Sequence, residues 1–285
     1  MDWPHIITHA IKETAILLPF LYITYLLLEW IEHYGAEKME GVLQKQGKFA
    51  PLCGAFLGLV PQCGFSASAA GLYSARVISL GTLLAVFLST SDEMIPILIA
   101  GRIPATVILL LLGIKLVAAL AVGYGVDALY RPKSHDHHHH IGEMCEEEHC
   151  HCEKGIWISS LLHTLQIAGF IFLVNFSLSI LLEWVGEGNV AAWVSGSGIW
   201  AYFTTALLGL IPNCASSVIL AELYAAKVIL PGMMLAGLLP GAGIAGLVLL
   251  RTNRSMKQSV LILALLLVIG IAVGSVTDLI WSIFA

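Results

Sequence analysis

Long apolar runs separated by short polar links leave this chain few ways to fold. In the first half they are Ile6–Ile31, Phe49–Ser74, Ile78–Ala100 and Pro104–Leu129. In the second they are Ile156–Val185, Ile199–Ala225, Val228–Leu250 and Ser259–Phe284. A helix needs roughly 20 such residues to cross the ~30 Å hydrocarbon core of a bilayer, and every run reaches that length. Only helices and closed barrels satisfy their backbone groups in lipid, and runs of this length suit helices. With 58% hydrophobic and 12% charged residues, the chain lacks the polar surface of a soluble domain. The reading is an all-α integral membrane protein of the cell membrane, with the lipid bilayer as its first partner.

The two halves repeat. His9 matches His163 and Leu28-Glu29-Trp30 matches Leu182-Glu183-Trp184, both at a shift of 154. At a shift of 151, Gly58–Cys63 matches Gly209–Cys214, Leu72-Tyr73 matches Leu223-Tyr224, and Arg76 matches Lys227. Ala121-Val122-Gly123 with Ala272-Val273-Gly274 and Asp127 with Asp278 keep that shift. Agreement at a nearly constant offset over so many segments marks an internal duplication. It divides the chain into a first membrane repeat (1–130), a hydrophilic loop (131–155) and a second repeat (156–285).

Charge in the short loops predicts how the repeats are oriented, because Lys and Arg collect on the cytoplasmic side. Lys38, Lys45 and Lys48 follow the first run, while the equivalent link 186–198 has no Lys or Arg. Before the fourth run the bias reverses: Arg102 in the first half, but Arg251, Arg254 and Lys257 in the second. Opposite bias at equivalent places predicts inverted repeats, with both termini outside and the central loop cytoplasmic. The second and third runs together must then cross an odd number of times, so at least one of them is broken or re-entrant.

Proline supplies the break. It lacks a donor and clashes with the preceding turn, so Gly58-Leu-Val-Pro-Gln-Cys63 and Gly209-Leu-Ile-Pro-Asn-Cys214 should each interrupt a helix, at Pro61 and Pro212. Ser89–Glu93, followed by Pro96, offers a further break. Either six full crossings with re-entrant segments or about ten shorter transmembrane helices would satisfy the count. Matched interruptions in two repeats are where secondary transporters bind their cargo. Gln62, Cys63 and Ser66, with Asn213, Cys214 and Ser217, are the candidate ion ligands. Exposed carbonyls at a break suit a cation, whereas the positive end of the next half-helix suits an anion. Each cysteine also reads plainly as a small buried apolar residue. Asp92 and Glu93 complete the candidate site, since carboxylates at membrane depth usually mark an ion path or proton relay. Gly243 and Ile244 stand at their places in the second half, so the acids occur once. Asp127 and Asp278 lie near run ends, where an interfacial role is expected. Gly54, Gly58, Gly237 and Gly241 are expected to let helices pack closely.

The central loop holds His135, His137, His138, His139, His140, Cys145, His149, Cys150, His151 and Cys152. A tract of this composition binds zinc-like ions; its bland alternative is a solvated linker. No tightly bound cofactor is expected. Gly41 and Gly47-Lys48 do not form a phosphate loop, and no Gly-x-Ser-x-Gly or His-Glu-x-x-His pattern is present, so neither an enzyme nor a nucleic-acid binder is expected. The first thirty residues carry Asp2, Lys12 and Glu13 in an apolar stretch too long for a secretion signal.

Leu59-Val-Pro-Gln-Cys-Gly-Phe-Ser66, Leu88-Ser-Thr-Ser-Asp-Glu93, Leu210-Ile-Pro-Asn-Cys214 and the His-rich loop together resemble the ten-helix heavy-metal exporters. That family is known variously as arsenic efflux proteins or manganese transporters. The resemblance spans nearly the whole chain and implies metal export. The resulting expectation is a secondary transporter exporting a divalent metal, manganese first, by proton antiport, with Asp92-Glu93 carrying the proton. One alternative keeps the transporter and makes trivalent arsenic the cargo, held by Cys63 and Cys214. The other is a membrane metal sensor or scaffold that moves nothing.

Overall fold

The computed structural model describes residues 49–60, 63–91, 94–129, 156–185, 198–253 and 255–284, and within the first thirty residues 11, 15, 18, 19, 21–23, 25 and 26, which are helical. Among these residues there is no strand. The helices are α1 (Ala50–Gly58), α2 (Cys63–Ser74), α3 (Leu80–Ser89), α4 (Met94–Ala100), α5 (Ala105–Leu129), α6 (Ile156–Val185), α7 (Ile199–Gly209), α8 (Cys214–Ala225), α9 (Pro231–Leu238), α10 (Ile244–Thr252) and α11 (Met256–Phe284). The second run of each half is thus cut at its Pro-amide-Cys motif, and the third run of the first half is cut at Ser89–Glu93. One further cut, across Leu239–Gly243, falls where no break was expected. Leu80–Ala100, Ala105–Leu129 and Met256–Ile283 are long and apolar enough to cross a membrane.

Local chemistry sets where these pieces stop. Pro51 in the first turn of α1 and Pro231 at the start of α9 sit where a missing donor costs nothing. The Ser79 hydroxyl caps α3 by accepting the Thr82 N–H at 3.1 Å. α2, α4 and α8 end alike. Val77, Ile103 and Val228 N–H groups reach back to the carbonyls of Leu72, Leu98 and Leu223 at 2.8, 3.0 and 2.9 Å. The residue before each is left-handed: Arg76 (φ 61°), Arg102 (φ 56°) and Lys227 (φ 60°). Glycine usually fills that position. Here a basic side chain bears the left-handed strain and places its charge at the negative end of the helix.

Glycine permits the tight packing within each half. α1 lies along α3, and a Cβ on Gly58 would come within 2.5 Å of the Val86 carbonyl oxygen. α7 lies along α9 in the same way, and a Cβ on Gly209 would lie 2.6 Å from the Gly237 carbonyl carbon. α3 then runs antiparallel to α5, and α9 to α11. Asp127 accepts the Gly81 N–H at 2.9 Å and the Ser79 hydroxyl at 2.7 Å. Asp278 accepts the Gly232 N–H at 2.7 Å and the Tyr202 hydroxyl at 2.9 Å. Each aspartate therefore caps the start of a buried half-helix from across the helix pair, satisfying an orphan donor and the positive dipole end. This is a more specific task than the interfacial role expected of them.

The second pieces of the broken runs pack differently. α2 lies against α10, where the Thr252 hydroxyl donates to Ser74 Oγ at 2.8 Å. α4 lies against α8, with Ala225 Cβ 2.8 Å from the place a Cβ on Gly101 would take. The halves are thus interlocked, each lending two half-helices to the other. α3 is buried from Gly81 to Ser89 and α9 from Met234 to Leu238, so these broken segments form the centre. The long helices face outward: Leu109, Val117, Leu261, Val268 and Ile283 are all at least 60% exposed. Such apolar surface suits lipid, and a bilayer would cover it.

Candidate functional site

The cuts in the first half meet. α1 and α3 run parallel, with Pro51 and Gly81 both against Gly123 of α5, and Gly58 against Ser89. Their ends therefore lie side by side, and the Ser91 hydroxyl joins them by donating to the Leu59 carbonyl at 2.9 Å. The chain passes from that junction through α2 and returns to Gly81, so α1 and α2 form a hairpin. α3 and α4 instead carry the chain onward, to the start of α5.

Ser89, Thr90 and Ser91 are all buried. Two of their hydroxyls quench carbonyls that the ending helix leaves open: Ser89 Oγ donates to Ala85 at 2.8 Å, and Thr90 Oγ1 to Val86 at 2.7 Å. The Thr90 carbonyl takes a different donor, the Lys115 ammonium from the middle of α5. Lys115 is fully buried. Sequence reading missed it, although it is the single charged residue between Ala105 and Gly125. That isolation in an apolar run was the available signal, because a charge at membrane depth reads as functional by default.

In the second half, Asn213 is fully buried and its N–H turns back to the Ile211 carbonyl at 2.7 Å. The Ser216 hydroxyl closes the cut by donating to the Asn213 carbonyl at 2.8 Å. Ser66 and Ser217, one turn into α2 and α8, are both buried as well. Cys63 and Cys214 open those helices, and their side chains lie outside the described residues, as do Gln62, Asp92 and Glu93. So does the whole central tract from His135 to Cys152. Among the described residues, no group of three or more His, Cys, Asp or Glu is placed to hold a metal ion.

The last cut has another character. Pro240, Gly241, Ala242 and Gly243 stand where Ser89, Thr90, Ser91 and Asp92 stand in the first half, and Leu266 replaces Lys115. Leu266 is fully buried, and Gly243 takes φ 51°, which glycine alone adopts without strain. A Cβ on Gly270 would fall 2.6 Å from both Ala236 O and Pro240 Cδ. The second-half junction is therefore sealed by small residues, while the first-half junction holds hydroxyls and a charge. At this pair of equivalent cuts, the hydroxyls and the charge among the described residues lie in the first half.

A family model described as "Putative, 10TM heavy-metal exporter" matches residues 5–187, well over half of the chain. The chain belongs to that family. It is a multi-pass membrane protein of a metal-exporting family, a class that moves ions instead of transforming them. The match takes in the first Pro-amide-Cys motif, the Ser89–Glu93 cut, Lys115 and the central loop, and it ends before Pro212. No curated protein and no solved structure matches the exporter.

Proposed function

We propose that this exporter expels a divalent metal ion, manganese first, in exchange for protons, through a site between its helix cuts. The carrying observation is the joined first-half junction, where the buried Ser91 hydroxyl holds Leu59. Asp92-Glu93 follow Ser91 directly in the chain, and the Pro61-Gln62-Cys63 motif begins two residues after Leu59. Asn213, Cys214 and Ser217 open α8, whose partner α4 begins directly after Glu93. In this reading carbonyls, Gln62, Asn213, Ser66 and Ser217 offer oxygen to the ion, Cys63 and Cys214 offer thiol, and the acids balance its charge. Oxygen ligands favour manganese. Expelling a +2 ion against an inside-negative potential costs about 4.6 kcal/mol per 100 mV, at about 2.3 per charge, and proton entry would drive it. The central histidines and cysteines would capture metal, or a zinc-like ion, on the cytoplasmic side.

Sealed liposomes containing the purified exporter and an imposed proton gradient test this. Manganese should leave as protons enter, ahead of zinc, cobalt and arsenite. Proton-independent arsenite flux would replace the cargo, and no flux of any metal would leave the sensor reading.

The repeats are inverted in this proposal. Loop charge supports it, and so does the packing. Gly81 lies level with Pro51, just after Lys48, and with Asp127, just before Arg131. The α1–α2 hairpin would then enter from and return to the cytoplasm, and the matching α7–α8 hairpin would do so from outside. With one preceding helix, a broken crossing and a long final helix, each half supplies five helical passes or hairpin arms, which agrees with the ten of the family. Val77→Cys and Val228→Cys, 151 residues apart, read this out. The first should react with an impermeant maleimide only in opened vesicles, the second in intact cells. Labelling of both from one side excludes inversion.

A further inference from the structure

The buried ammonium of Lys115 has no part in the scheme above. It sits ten residues into α5 and fourteen from its end, about 15 and 21 Å along the axis, which places it near the middle of a bilayer. It donates to the Thr90 carbonyl at the C-terminal, negative end of α3. Asp92 and Glu93 follow Thr90 by two and three residues. The lysine is therefore held by the same carbonyl end that would attract a cargo cation.

The duplicated slot in the second half carries no charge. Leu266 occupies the equivalent place in α11, fully buried, and its junction is closed by glycine and proline. Burial of an ammonium opposes folding unless it is fully compensated, so its retention on one side alone points to a task.

We propose that Lys115 is a tethered competitor of the transported ion. Its ammonium occupies the carbonyl end of α3 when the site is empty, and an incoming divalent cation displaces it. This rests on the divalent-cation reading given above. Displacement would set specificity, because a monovalent ion gains no more from the carbonyls and acids than the lysine it evicts. A +2 ion gains more. The returning ammonium would also eject the ion, so that the site does not hold its cargo too tightly to release it.

The test is manganese binding to the purified, full-length exporter in nanodiscs, with flux measured in liposomes. Lys115→Met removes the charge, Lys115→Gln removes it while leaving a donor for Thr90, and Lys115→Arg keeps it. The neutral variants should bind manganese about tenfold more tightly, with slower dissociation and lower flux, and should admit monovalent ions at the site. Arginine should stay within about threefold of the native protein. Tighter binding with slower transport is a split that a merely structural lysine would not produce. A folded Gln or Met variant that binds manganese no more tightly than the native protein overturns the proposal. If the native exporter binds no divalent metal, the cargo reading fails by itself, and the inference falls with it. Native binding with an unchanged variant ratio fails the inference alone.

Discussion

Gly209→Ala is expected to leave little folded exporter. A Cβ there would lie 2.6 Å from the carbonyl carbon and 2.9 Å from the Cα of Gly237, and closer still to the carbonyl oxygen. All of these are backbone atoms, so no side-chain rotation relieves the overlap, and α7 must pull away from α9. Gly237 pays the same geometry back, since a Cβ on it would sit 2.7 Å from the Thr205 carbonyl oxygen. Opening that contact loosens the α9 centre, where Met234, Leu235, Leu238 and Leu239 are buried. A loss of about 3 kcal/mol is expected from such overpacking. Gly58→Ala should be milder, because one of the atoms it meets is the Ser89 hydroxyl, which can turn away. Gly113 and Gly169 face open space within their helices, and alanine there should stabilise by about 0.5–1 kcal/mol. Thermal unfolding of detergent-solubilised protein gives the order directly. A Gly209→Ala protein as stable as Gly113→Ala would mean that α7 and α9 are not in contact as described.

Much of this arrangement could be read from sequence because its causes are local. Proline at 61 and 212 breaks a helix wherever it lies, and the hydroxyl run Ser89-Thr90-Ser91 competes with its own backbone. The duplication was legible as well, and the shift of 151 that pairs Asp127 with Asp278 also pairs the Gly81 and Gly232 donors they accept. Partnerships across the chain were not legible. Nothing in the α2 sequence says that it packs on α10 instead of on its own half. The aspartates looked interfacial because the N–H groups they cap lie 46 residues away. Lys115 was overlooked for the same reason, its carbonyl partner being 25 residues off in a different helix. The cut at Pro240 was hidden differently. Gly237, Gly241 and Gly243 surround it in a stretch that stays uniformly apolar, so hydropathy showed no interruption.

The cargo itself is decided most sharply by Cys63→Ser and Cys214→Ser set against Asp92→Asn. If manganese is carried, either serine variant should keep a substantial part of the flux, because serine, carbonyls, Gln62 and Asn213 still offer the oxygen this ion prefers. Asp92→Asn should then reduce manganese export to background at neutral pH. It removes the charge that offsets a buried +2 ion. Trivalent arsenic reverses the order. Its bonds to thiolate dominate, so loss of one cysteine should nearly abolish arsenite export, while a neutral arsenic hydroxide needs no balancing aspartate. Uptake of each species into everted vesicles, normalised to inserted protein, separates the cases. Both results cannot hold for one cargo, because each asks a different ligand to supply most of the binding. Tolerant cysteines with an intolerant Asp92 support the manganese reading. Essential cysteines with a dispensable Asp92 would transfer the site to arsenic, and Lys115 would then have no cation to oppose.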